Sequence, residues 1–157
     1  MKKLNNKGFT LIEVLAVVVI LSVLIAIMVP SVNHLIKKNE NNNYQSLKDS
    51  IVQATKVLFS DYRYEVVIDG SCSDVAGPEL DISKVGDYNL TERLGVSKIP
   101  VQILVDVDNI ATKNGNIFNP MDKTKKLNLD ESYVLVKYQC DTKDFRYQLE
   151  EDYLVWE

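Results

Sequence analysis

The chain has 157 residues, 46% of them apolar, with 18 cationic and 22 anionic side chains and a net charge of −4. Once one long helix is set aside, about 95 residues remain, room for one small globular domain and not for two. The acidic balance excludes the basic face that electrostatic binding to DNA requires, so a nucleic-acid partner is not supported.

The chain opens with Lys2, Lys3 and Lys7 and no acid before Glu13. From Leu11 to Val29 run 19 residues of which only Glu13 and Ser22 are polar. As a helix that segment is about 28 Å long at 1.5 Å per residue, which matches the ~30 Å hydrocarbon core of a bilayer. Valine and isoleucine are mediocre helix formers in water, but lipid forces every backbone N–H and C=O to be satisfied within the segment. Helix is therefore the state of a lone span. The leading lysines hold the N-terminus in the cytoplasm and place the C-terminal bulk outside.

A secretory signal peptide has a shorter apolar region and a small-residue cleavage site, whereas this run continues through Ala26-Ile27-Met28-Val29-Pro30 without an A-x-A pattern. A plain single-span anchor has no use for Glu13, because a carboxylate inside the hydrocarbon costs about 3 kcal/mol. Cleavage between Gly8 and Phe9 would give that charge a mate. A new α-amino group at Phe9 lies one helical turn before Glu13, and the two ions can neutralise each other in apolar surroundings. The carboxylate also complements the positive end of the helix dipole. A neighbouring copy that offers its amine gains by docking in register.

Lys7-Gly8-Phe9-Thr10-Leu11-Ile12-Glu13-Val14, the apolar run and Pro30 resemble the class III leader and N-terminal helix of type IV pilins and the related pseudopilins. The resemblance covers Met1 to about Tyr62. It implies cleavage after Gly8 by a prepilin peptidase, N-methylation of Phe9, and an amine contact to Glu13 between adjacent subunits. It also implies an assembly platform with an ATPase that extracts the subunit from the membrane lipid into a helical filament outside the cell. The organisation expected is a leader at 1–8, a membrane and filament-core helix at 9–36, and a globular head at 37–157.

Pro30 removes the hydrogen bond to the Ala26 carbonyl, so a bend near residues 26–30 is expected within a helix that continues. Lys37, Lys38 and Asn39-Glu40-Asn41-Asn42-Asn43 form a polar collar. Beyond it Tyr44, Leu47, Ile51, Ala54, Leu58 and Tyr62 recur at spacings of three and four, the stripe of a helix packed under a sheet. From Phe9 to about Tyr62 the helix would be roughly 80 Å long, longer than a head of this size, and its free half must bury itself in lipid or in neighbours.

Residues 63–98 are turn-rich, with loops at Asp69-Gly70-Ser71, Ala76-Gly77-Pro78, Val85-Gly86-Asp87 and Leu94-Gly95. Arg63 to Ile68 reads as the helix end or a short strand. Asp74, Glu79, Asp81 and Asp87 fit no calcium-loop spacing and read as a solvated acidic surface. Pro100 to Ile110 alternates like a strand, while Pro100 suits the first turn of a helix. Asn119-Pro120-Met121-Asp122 followed by Ser132 to Tyr138 resembles the head of Gram-positive-type pilins, which favours the helix. Asn114-Gly115 marks a tight turn. Tyr133 to Cys140 and Phe145 to Leu149 form a hairpin across Asp141-Thr142-Lys143-Asp144, and Tyr153 to Trp156 adds an edge strand or covers the sheet. The fold expected is α+β, a long N-terminal helix packed on a small antiparallel sheet.

Cys72 and Cys140 both lie outside the membrane on this topology, where disulfides persist. The alternatives are one bridge or two buried thiols. His34, the only histidine, lies near the membrane exit and far from either cysteine, so neither Cys/His catalysis nor a mixed zinc site is within reach. No phosphate-binding loop or G-x-S-x-G is present. The expectation is a structural filament subunit with no catalytic residues, cofactor or metal. The acidic, aromatic C-terminus points to a minor pilin. The alternatives are a pseudopilin of a secretion or competence apparatus, and a single-span binding protein that never leaves the bilayer.

Overall fold

The computed structural model describes residues 10–70, 72, 81–90 and 97–157. Its first element, α1 (Leu11–Asp61), is a helix of 51 residues that continues through Pro30. Proline there removes one main-chain donor. The Ser31 hydroxyl donates to the Ile27 carbonyl in the same turn, at 3.3 Å. The chain divides into two compact units, residues 1–40 and 41–157.

In the second unit α1 buries Tyr44, Ile51, Ala54 and Leu58, with Leu47 and Tyr62 half-buried on the same face. Spacings of three and four put them there, because each step of seven residues completes nearly two turns. Thr55 and Phe59 are also buried and widen the stripe by one row. A threonine is tolerated in that row because its hydroxyl donates to the Ile51 carbonyl at 2.9 Å. The Phe59 ring lies 4.9 Å from Phe145 and 5.8 Å from Tyr147. This aromatic cluster fastens the helix to the sheet.

The small sheet expected is two three-stranded antiparallel sheets. The first orders β1 (Val67–Asp69), β2 (Asp81–Val85) and β3 (Tyr88–Asn89). Its β2–β3 turn is closed by Gly86 at φ 54°, where the Tyr62 ring stands 3.0 Å from the position a Cβ would take. Both the left-handed backbone and the ring contact require glycine at this position. Arg63 to Ile68 divides between a turn after the helix and the start of β1.

The second sheet orders β4 (Ser97–Pro100), β5 (Tyr133–Gln139) and β6 (Asp144–Gln148). Alternation sends Val134 and Val136 of β5 into the core. Tyr138, Phe145 and Tyr147 share that face and pack against it. Ser97 joins the two sheets. Fully buried, its Oγ donates to the Ile82 carbonyl at 2.6 Å and accepts from the Ile82 N–H at 2.8 Å, close to a register shift between Val67 and Ile68 in the β1–β2 ladder. Leaving a buried donor and acceptor unsatisfied costs about 1–3 kcal/mol per group. Ser97→Ala is therefore expected to lower stability by roughly 2–4 kcal/mol, measured by denaturant unfolding of the detergent-solubilised chain. Ser97→Cys, with a weaker donor of similar shape, should recover only part of it.

Pro100 ends β4, and α2 (Val101–Asp106) follows. Helix rather than strand is settled by the loop before β5. The Val101 N–H donates to the Ser132 carbonyl at 2.8 Å and the Gln102 N–H to the Leu129 carbonyl at 3.0 Å, which satisfies donors that the first turn of a helix leaves unpaired. Val101, Ile103 and Leu104 are buried, a pattern that a strand would not give. Asn114 and Gly115 take φ values of 55° and 74° between paired Lys113 and Asn116, the tight hairpin geometry that Asn-Gly favours.

At the C-terminus Glu151–Tyr153 forms a 3-10 turn, and Trp156 then pairs with Leu127. Trp156 also covers Tyr44, with ring centroids 6.2 Å apart. Cys72 and Cys140 are joined by a disulfide, S–S 2.06 Å. It ties the segment after β1 to the end of β5, and so links the two sheets a second time. Asp74 and Glu79 lie outside the described residues. Among the described residues no group of three or more potential ligands converges to hold a metal ion.

Candidate assembly site

Residues 11–39 of α1 are all exposed. Within this stretch lies the one helical segment, among the described residues, that is long and apolar enough to cross a membrane. An apolar surface of this extent marks contact with lipid or with other protein. Ser22, one of its two polar side chains, spends its hydroxyl on the Val18 carbonyl at 2.7 Å, so it brings no unpaired polar group into apolar surroundings. Glu13 is the single charge left on the surface from Leu11 to Val29.

The structure ties Glu13 to Thr10. Its Oε2 accepts from the Thr10 N–H and from the Thr10 hydroxyl, each at 2.8 Å. In return Thr10 Oγ1 accepts from the Glu13 N–H at 3.4 Å. This is a capping box, with Thr10 as the N-cap and Glu13 at the third helical position. It satisfies backbone donors that would otherwise face hydrocarbon unpaired. It also holds the carboxylate at the positive end of the helix dipole. A carboxylate has about four acceptor positions, and Thr10 takes two of them at one oxygen, so capacity remains for an ammonium group.

Gly8 and Phe9, the expected cleavage and methylation positions, lie outside the described residues. Of the sequence-derived positions, the structure joins Cys72 to Cys140 and seats Pro30 inside α1. His34 is exposed on the same helix. Thr10 was passed over on sequence, although Thr10-Leu11-Ile12-Glu13 before an apolar run is the S/T-x-x-E signature of a capped helix start.

Residues 3–29 match the family model of the prokaryotic N-terminal methylation motif. Over that stretch the chain has the N-terminal methylation motif, the class III leader with which type IV pilin and pseudopilin precursors begin. No curated protein and no solved structure matches it.

Proposed function

We propose that the chain is a structural subunit of an extracellular type IV filament. It enters the membrane with its N-terminus inside, is cut after Gly8 by a prepilin peptidase and methylated at Phe9, and polymerises through the apolar half of α1. The observation that carries this reading is a carboxylate fixed by Thr10 at the front of a helical surface that is otherwise apolar and exposed. A membrane anchor gains nothing from such a charge, which costs about 3 kcal/mol in hydrocarbon. An interface between subunits gains a specific register, because only a cationic mate at the same depth relieves the cost. After removal of the leader lysines the subunit has 15 cationic side chains against 22 acids, or −7, suited to solubility outside the cell.

A pseudopilin of a secretion or competence apparatus shares this N-terminus, and a single-span binding protein would never leave the bilayer. Shearing of native cells separates the readings. The filament reading expects the chain in the sheared, high-molecular-mass fraction. Retention of all of it in the membrane fraction would favour the pseudopilin or a permanently anchored protein.

A further inference from the structure

The β5–β6 turn itself carries Asp141 and Asp144 against Lys143, and the further cations beside it, Lys56 and Arg63, come from α1 and the residues directly after it. Beside this turn a cleft of about 620 Å³ is lined by Lys56, Arg63 and Lys143, with Asp144 as the one carboxylate among its lining residues. All three cationic side chains are exposed. Lys56 stands 5.9 Å from the centroid of the Tyr147 ring on the cleft wall, within cation–π range. The Tyr147 phenol is pushed up to about 12 by burial and then by Asp144, so it stays neutral at physiological pH and adds no opposing charge. An acidic molecule thus presents a local excess of positive charge.

At the other end of the ladder, directly after β6, Glu150, Glu151 and Asp152 stand exposed in sequence on the 3-10 turn. Their field is felt locally. Burial first and then the Glu150 carboxylate push the Tyr153 phenol up, with Tyr133 and Asp152 adding to it and Lys137 opposing. The two ends are separated by the ladder from Leu135↔Gln148 to Gln139↔Asp144, roughly 14 Å at 3.4 Å per residue.

We propose that the Lys56–Arg63–Lys143 cleft of one subunit receives the Glu150-Glu151-Asp152 turn of a second copy of this chain. Patches about 14 Å apart along the ladder do not meet within one molecule, and between copies they can pair either twice across a two-fold axis or once head to tail. Repeated head to tail they make a heterologous contact that does not close, the kind that builds an open helical fibre. The C-terminal acids, which by themselves look unlike a lattice surface, then have a complement on the same head. Exposed ion pairs contribute little each and are screened within about 8 Å at physiological salt. The contact therefore sets rotation and register between heads, while the apolar helices supply most of the association.

This inference rests on the filament reading, and the test is arranged to separate the two. Four full-length chains are expressed in the native host lacking its own copy: wild type, Lys56→Glu/Arg63→Glu/Lys143→Glu, Glu150→Lys/Glu151→Lys/Asp152→Lys, and the chain carrying both sets. Sheared-filament yield is measured, and non-reducing gels report the Cys72–Cys140 bridge as a check on folding. Each single set should lower yield about tenfold, and the doubly swapped chain should recover to within a factor of two or three of wild type. Equal yields from all four overturn the contact and leave the filament reading standing. Loss in both single sets without recovery in the swapped chain assigns the neighbour to a different protein and overturns a second copy as the occupant. Absence of wild-type filaments overturns the filament reading and this contact with it.

Discussion

Glu13→Ala is expected to insert in the membrane normally and to be nearly absent from filaments. Membrane insertion depends on summed hydropathy, which the substitution improves. On the proposed assembly, polymerisation needs a mate for the Phe9 ammonium group, which the substitution removes. Breaking a buried ion pair costs about 3–5 kcal/mol, and at about 1.4 kcal/mol per factor of ten this is roughly two to three and a half orders of magnitude in association. Glu13→Gln discriminates the two roles of the side chain. Glutamine serves in a capping box as well as glutamate does, but it cannot neutralise an amine. Quantitative blotting of membrane and sheared fractions should show Glu13→Gln failing almost as badly as Glu13→Ala. Thr10→Ala loses only the cap, about 1 kcal/mol, and should reduce incorporation roughly fivefold. Wild-type incorporation of Glu13→Gln would leave the carboxylate as a helix cap and nothing more.

The second large effect is expected from Cys72→Ser/Cys140→Ser. The bridge closes 69 residues, counting both cysteines. In the chain-entropy view, a loop of that size contributes about 4 kcal/mol by restricting the unfolded state. It also joins the segment after β1 to the end of β5, so its loss removes a covalent tie between two sheets that Ser97 also links. For a head of this size the melting temperature should fall by roughly 10 °C or more, read by calorimetry or near-UV circular dichroism of the detergent-solubilised chain. Reduction of the wild-type protein should reproduce the shift. A change of only one or two degrees would show that the packing of Phe59 against Phe145 and Tyr147 already fixes the relation between helix and sheet.

The long helix was legible because its signals reinforce one another. An unbroken apolar run needs no tertiary information, and the Tyr44 to Tyr62 stripe repeats at helical spacing with polar residues between. The β5–β6 hairpin was legible for a similar reason, since β-branched and aromatic residues flank a polar turn. The first sheet was not. Ile82-Ser83-Lys84-Val85-Gly86-Asp87-Tyr88-Asn89 carries a short hairpin pattern, but its strands are brief and one is joined to the neighbouring sheet through a serine side chain, a contact 15 residues distant that periodicity does not encode.

The α2 segment shows the opposite failure of local pattern. Val101, Ile103, Val105 and Val107 alternate like a strand, and the chain still folds as a helix because carbonyls of Leu129 and Ser132 receive its first N–H groups. Those partners are about thirty residues away in the chain. At the assembly site, Glu13 announced itself by being out of place in an apolar run, whereas Thr10 looked ordinary. Hydropathy arithmetic registers the cost of a charge and overlooks the side chain that orients it.

The central claim is that Glu13 is retained in an apolar helix because cleavage after Gly8 creates its cationic partner. Intact-mass and N-terminal peptide mass spectrometry of the chain purified from its own cells tests this directly. The expected product begins at Phe9, carries one methyl group on its α-nitrogen and lacks the eight residues before it. A mature chain that still begins at Met1 or Lys2 would leave Glu13 without the partner and contradict the claim.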